Sequence, residues 1–404
     1  MSERQLRRLL SSVPVPGEEE ARDRAWRVVR AAFAEREHVT WPRRHTRPLV
    51  AVAAAAVVVA AALSPPGRAV LNSIRDAVGR EQVKQAKPAL TSLPAMGRLL
   101  VSSGEGTWTV YYNGSRRNLG PYSEADWSPH GIFIVGTRGN QLVTVEPAAP
   151  KPSVHWVISR PQQLGHPRWA PDGYRIAYLA GPQLRVAVGD GSGDKFVATA
   201  APVAPAWRPL PIREPVGSRH VLTYVDPAGR VVAIDTDSRT RLWRIDTGPD
   251  RVRALAWSDD GRRLLVLGQT SVQIRGPNGR LVAEFLTKGP SLAAAFAPRS
   301  HRLAFSVGAL VLVGNSDTLP QGVHPVFSRL AGAITDLAWS PDGRWLLAAW
   351  PTADEWLFIR STRVPSRTAR VRDLEVVSDI GRQFNPGGSG PAPFPTIDGW
   401  CCAP

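Results

Sequence analysis

The sequence predicts an all-β chain of six or seven four-stranded blades set in a ring, seven being the better count, preceded by a helical tail and one membrane-spanning helix. Three observations predict the ring. Six aromatic anchors, Trp127, Trp169, Trp207, Trp257, Phe296 and Trp339, recur at intervals of 42, 38, 50, 39 and 43 residues. The mean of about 42 residues is the length of one four-stranded blade. Several anchors open a turn with its own chemistry: Trp169-Ala-Pro-Asp172-Gly173, Trp257-Ser-Asp-Asp260-Gly261 and Trp339-Ser-Pro-Asp342-Gly343, with Trp127-Ser-Pro-His130-Gly131 close to them. Proline fixes φ, aspartate bonds its own backbone and glycine accepts a positive φ. Each turn leads into an uninterrupted apolar run, such as Ile176–Leu179, Leu264–Leu267 or Leu346–Ala349. Such a run is expected of a strand buried on both faces, and the whole pattern describes a β-propeller.

The N-terminal 47 residues read as a tail facing the cytoplasm. They hold 11 arginines and one convincing element, an amphipathic helix over residues 18–37. Glu18-Glu19-Glu20 suit the positive end of its dipole. Trp26, Val29 and Phe33 then recur at helical spacing on one face, which needs the inner leaflet, self-association or a cytoplasmic regulatory partner to cover it. Residues 48–67 carry no charge and include LVAVAAAAVVVAAAL, just long enough to cross a bilayer. Arginines flank both ends, so the positive-inside bias is slight; N-terminus in and propeller out is the expected topology, a single-pass protein of the cell membrane. Residues 68–91 read as a helical linker, 92–384 as the propeller and 385–404 as a Gly/Pro-rich tail ending in Cys401-Cys402.

A ring must close. Residues 370–384 echo the stretch around Trp257 with Val376 in the anchor position. A C-terminal strand from this region is expected to complete the blade begun by Arg98–Gly120, by the strand exchange that removes free edges. If the Trp207 copy were only a loop, the count would fall to six.

Composition bounds the function more than it names it. Of 404 residues 43% are hydrophobic and 21% charged, which supports a large core and excludes general disorder. Two cysteines exclude a disulfide-rich scaffold. Fifty basic against 34 acidic residues give +16, yet 45 of the basic residues are arginines scattered singly or in pairs. No zinc-finger or RNP pattern accompanies them, which argues against a nucleic-acid partner.

The turn copies around Trp127, Trp169, Trp257 and Trp339 resemble the WD40-like repeats of TolB-type β-propellers, and the layout resembles membrane-anchored propeller proteins of actinobacteria. The resemblance implies structural roles for these positions, and it implies no activity.

Chemistry is sparse. No P-loop, HExxH, GxSxG or CxxC occurs, so no enzyme, metal or cofactor is expected. The histidines His155, His166, His220 and His301 read as loop or strand residues, and Gly189–Asp194 reads as a hairpin turn in preference to a calcium loop. Cys401 and Cys402 are either a free or strained vicinal pair, or partners in an intermolecular disulfide or metal contact. The leading expectation is a non-enzymatic scaffold binding a protein or envelope ligand on a propeller face. A transmembrane signalling protein, anti-sigma-like with the propeller as sensor, is the alternative, and a propeller hydrolase or lyase the third.

Overall fold

The computed structural model describes residues 89–209, 220–361, 374–387 and 392–402. These residues form seven four-stranded antiparallel sheets, each a blade. The inner strands of blades 2 to 7 are Ala125–Trp127, Leu164–Trp169, Ala206–Trp207, Ala254–Trp257, Ala294–Phe296 and Asp336–Trp339. Every one ends on a predicted anchor. The Trp207 copy is a two-residue strand paired with Val221–Val225, so the count is seven.

The alternation of side chains explains why the apolar runs are continuous. In blade 7, Leu346 and Ala348 pack toward blade 6, whereas Leu347 and Ala349 pack toward blade 1. A strand with both faces on a seam has no room for a polar residue. The same logic holds around the ring: seven buried apolar clusters fill the seven seams between neighbouring blades.

Three of the anchors stitch a seam. The indole N–H of Trp207 donates to the Arg168 carbonyl at 3.0 Å, that of Trp257 to Thr223 Oγ1 at 3.0 Å and that of Trp339 to the Ala295 carbonyl at 3.1 Å, in each case in the preceding blade. Trp339 is 4% exposed. Truncating a large side chain so enclosed costs about 3–5 kcal/mol. Phe296 has no N–H to offer and is the least enclosed of the six.

The turns follow their chemistry. Asp172, Asp260 and Asp342 each accept, through Oδ1, the backbone N–H two residues on, at 2.9, 3.1 and 3.0 Å. Gly173, Gly261 and Gly343 take φ of 81°, 65° and 67°, which a Cβ disfavours.

Closure differs from the expectation. Residues Leu374–Ser378, with Val376 among them, form the outer strand of blade 7, not the closing strand. Ile380–Phe384 is a short helix, α1, whose Phe384 is fully buried against Trp356 and Trp108. The closing strand is Thr396–Cys401, placed by the sequence reading in the C-terminal tail. It is the inner strand of blade 1, paired with Arg98–Ser103. Trp400 sits opposite Leu99 as Trp339 sits opposite Leu346, so Trp400 is a seventh anchor. The seam it closes, between blades 7 and 1, has the largest apolar cluster, which also buries Leu93 and, ahead of the expected boundary at 92, Leu90.

Among the described residues no helix is long and apolar enough to cross a membrane. The apolar run 48–67, the linker helix and the tail helix with Trp26, Val29 and Phe33 lie outside the described residues.

Candidate functional site

An inner strand is a sheet edge, and its unpaired backbone N–H groups need acceptors. In blade 3 the neighbouring blade supplies them. Asp126 Oδ2 accepts the Trp169 N–H at 2.7 Å, and Glu124 accepts the His166 N–H and lies 3.1 Å from His166 Nδ1. Two side chains placed one and three residues before the Trp127 anchor thus bridge blades 2 and 3. In blades 4 to 7 the residue before the anchor is Ala206, Ala256, Ala295 or Ala338; in blades 2 and 3 it is Asp126 or Arg168. One side of the inner ring is small and apolar. The other is charged.

Two β-bulges build that charged side. The pairing of inner with second strand is regular in blades 2, 4, 5, 6 and 7. In blade 3 the register slips between Gly165 and Arg168, so that His166 and Pro167 together oppose the single residue Tyr178, and His166 takes φ of 54°. In blade 1 it slips at Leu100/Val101, leaving Asp398 extra. Bulges of this kind re-aim side chains, and these two flank blade 2.

The electrostatics follow. Asp398 accepts the Ser102 hydroxyl at 2.5 Å. Burial, reinforced by the carboxyls of Asp336 and Asp126, pushes its pKa up to about 8, although the Arg168 guanidinium opposes the rise. Burial likewise raises Asp336, on the inner strand of blade 7, to about 6 against a single hydrogen bond from Thr335. Asp126 is raised by burial as well, while Arg168 and the Trp169 N–H pull it down. At neutral pH Asp398 therefore holds a proton, with the Arg168 guanidinium as the positive charge acting on it. None of these residues carries a sequence signature of catalysis. Their one readable sign is that Asp126 and Arg168 stand where four other copies have alanine.

The other sequence-selected groups fall elsewhere. Asp190 Oδ1 accepts the Ser192 N–H at 2.9 Å, and Asp194 is engaged by Arg185, Arg160 and Tyr178; with two guanidiniums on it, Gly189–Asp194 is a turn and no calcium loop. His155 stacks on Phe133. His220 and His301 each lie between two carboxylates on the turn face. Cys401 and Cys402 are bonded to each other at the end of the closing strand. Among the described residues no three His, Cys, Asp or Glu side chains come together as a metal site.

Residues 325–358 match the family model described as WD domain, G-beta repeat. That segment begins in the outer strand of blade 6 and runs through three strands of blade 7. The repeat is thus staggered against the blade and ties neighbours together. No curated protein sequence matches the chain. Among solved structures it is similar to a chain of the "Crystal Structure of Mitotic Checkpoint Complex", at 17% identity and a TM-score of 0.48 over 61% of this chain and 80% of that one. It is also similar to a chain of the Kuenenia stuttgartiensis hydrazine synthase, at 14% identity and a TM-score of 0.49 over 59% and 76%. Neither likeness bears on this chain's partners or chemistry. The chain is a seven-bladed β-propeller, and one stretch of it, residues 325–358, matches a WD40 repeat.

Proposed function

We propose that this propeller is a non-enzymatic binding scaffold that takes a protein or envelope ligand on the face where the charged inner strands of blades 7, 1, 2 and 3 come together. The apolar run 48–67 anchors it in the cell membrane with the propeller outside the cytoplasm. The observation that carries the reading is the pair of bulges flanking blade 2, which gather Asp398, Arg168 and His166 around Asp126, whereas in blades 4 to 7 the residue before the anchor is alanine. Seven tightly packed seams hold these groups rigidly, and a preformed site of fixed polar groups loses little entropy on binding.

The test is in-cell crosslinking of the full chain, with mass spectrometry of what is joined to residues 92–404 and to residues 1–47, for wild type and Arg168→Glu. The expected result is a partner on the propeller whose yield falls at least about tenfold in a variant that still melts cooperatively. A partner retained in full by Arg168→Glu overturns the site. A regulatory protein joined to the tail, with nothing on the propeller, replaces scaffolding with transmembrane signalling.

One observation favours a second reading, the hydrolase or lyase. Asp398 at about 8 and Asp336 at about 6 are suited to give and take a proton near neutrality. Turnover abolished by Asp398→Asn with the fold intact would establish it.

A further inference from the structure

Six seams are fastened on the turn face by the first residues of a second strand or by an inner-strand turn, and they use two devices. Four use stacking on the next blade's anchor. The Arg98 guanidinium lies 4.8 Å over Trp127, Phe133 stacks on Trp169 at 6.4 Å, Arg208 lies 5.8 Å over Trp257 and Arg302 lies 5.0 Å over Trp339. None of these pairs titrates near neutral pH. The seams between blades 3 and 4 and between blades 5 and 6 use a histidine instead, and the two copies match group for group.

In the first copy His220 Nε2 lies 2.9 Å from Asp172 Oδ2 in the turn of blade 3, and Nδ1 lies 2.6 Å from Asp237 Oδ2 in blade 4. Arg175 of blade 3 binds the other oxygen of Asp237 at 2.8 Å and stands 3.8 Å from Asp172. In the second, His301 Nε2 lies 2.9 Å from Asp260 of blade 5 and Nδ1 2.6 Å from Asp317 of blade 6, with Arg263 Nε 2.7 Å from Asp317. Arg262 stands 3.8 Å from Asp260. The nearby Asp259 carboxylate is turned to the Arg299 N–H.

A carboxylate only accepts, so an imidazole with a carboxylate oxygen on each nitrogen must donate from both, which only the imidazolium can do. The His220 latch then sums to zero: two carboxylates, one guanidinium, one imidazolium; the His301 latch has the same set with the more exposed Arg262 added at its rim. Loss of the proton leaves a lone pair facing a carboxylate in a half-buried site.

We propose that His220 and His301 are proton-operated latches that hold blades 4 and 5 in the ring at the turn face, closed when protonated and open when neutral. The two latches bracket this blade pair, while the seam inside the pair is fastened without an imidazole, by Arg208 Nε to the Gly261 carbonyl at 2.8 Å with stacking on Trp257. The apolar clusters beneath both latched seams stay packed, so opening is local, a loosening of the turns and not an unfolding. Burial pulls the His301 pKa down, but the bonds to Asp317 and Asp260 and their charge outweigh it and hold it above 6.5. The latch energy is therefore complete below pH 6.5 and is lost as pH rises through the folded-state pKa.

Hydrogen exchange of the full chain at pH 6 and pH 9, corrected for the intrinsic rate, tests this. Gly261 donates to the Ser258 carbonyl, Ser316 to the His301 carbonyl and Thr236 to the His220 carbonyl. The protection of these amides is expected to fall about tenfold between the two pH values. The matching amides of Gly131 and Gly343, in turns without a latch, are expected not to change. The double variant His220→Gln, His301→Gln is expected to show the low protection already at pH 6 and no pH dependence. Wild-type protection independent of pH, or the wild-type slope retained in the variant, overturns the proposal. Should the variant not fold, the C2-proton titrations of the eight histidines in the wild type decide: a midpoint above 6.5 is expected for His301, and its absence overturns the latches.

Discussion

At the residue scale, the most informative group is Asp398. Its carboxyl stands at a bulge on the inner strand of blade 1, set among other acids, so the folded chain keeps at about pH 8 a proton that the unfolded chain loses near 3.8. Stability therefore falls as pH rises between those values, because the native state binds the extra proton. Asp398→Asn holds the same shape and cannot ionise. It is expected to flatten the decline of the denaturation midpoint between pH 5 and pH 8, and to be the more stable protein at pH 8. A slope equal to that of wild type would show the Asp398 carboxyl ionised in the folded state. Asp336, raised to about 6, adds a weaker decline of the same sign that the variant keeps. This residue scale is also where the sequence was least legible. Trp, Pro, Asp and Gly at blade spacing announce their roles because sterics leave few alternatives. A carboxylate on an inner strand becomes unusual only when the ring brings blades 7, 1, 2 and 3 together, across 272 positions from Asp126 to Asp398.

At the element scale, the closing strand separates what periodicity can find from what it cannot. Trp400 follows Trp339 by 61 residues where other copies follow by 38 to 50, and Val376, at 37, stood nearer the expected place. Part of the extra length is α1, which stands between the outer strand of blade 7 and the closing strand. Blade 1 depends on that return. Without Thr396–Cys401, the edge of Arg98–Ser103 is bare and the seam between blades 7 and 1 loses Trp400, which packs edge-on to Phe358. Removing residues 396–404 is expected to abolish cooperative unfolding and to yield aggregated chains, as an uncovered edge and an open apolar seam together favour. Sedimentation and a thermal melt of the truncated chain measure it. A monomer with the wild-type melting curve would mean that three strands suffice for blade 1.

At the scale of the whole molecule, the seams rather than the blades are the units of stability. Each buried cluster belongs to two sheets, and the repeat matched at residues 325–358 begins in one blade and ends in the next. No blade owns a core. Substitutions should therefore be grouped by seam, not by blade. Ile234 lies in the seam of blades 3 and 4, and Ile359 in that of blades 6 and 7. Ile234→Val and Ile359→Val are expected to cost about 0.5–1.5 kcal/mol each and to add within about 0.5 kcal/mol, since they share no partner. Leu346 stands directly opposite Ile359 across blade 7 and faces the same seam. Leu346→Ala with Ile359→Val is expected to depart from additivity by about 0.5 kcal/mol or more, because the cavity left by one is lined by the other. Urea denaturation of the three single and two double variants supplies both cycles. Coupling of equal size in the two would mean that strain spreads around the ring, and the seam would then be the wrong unit.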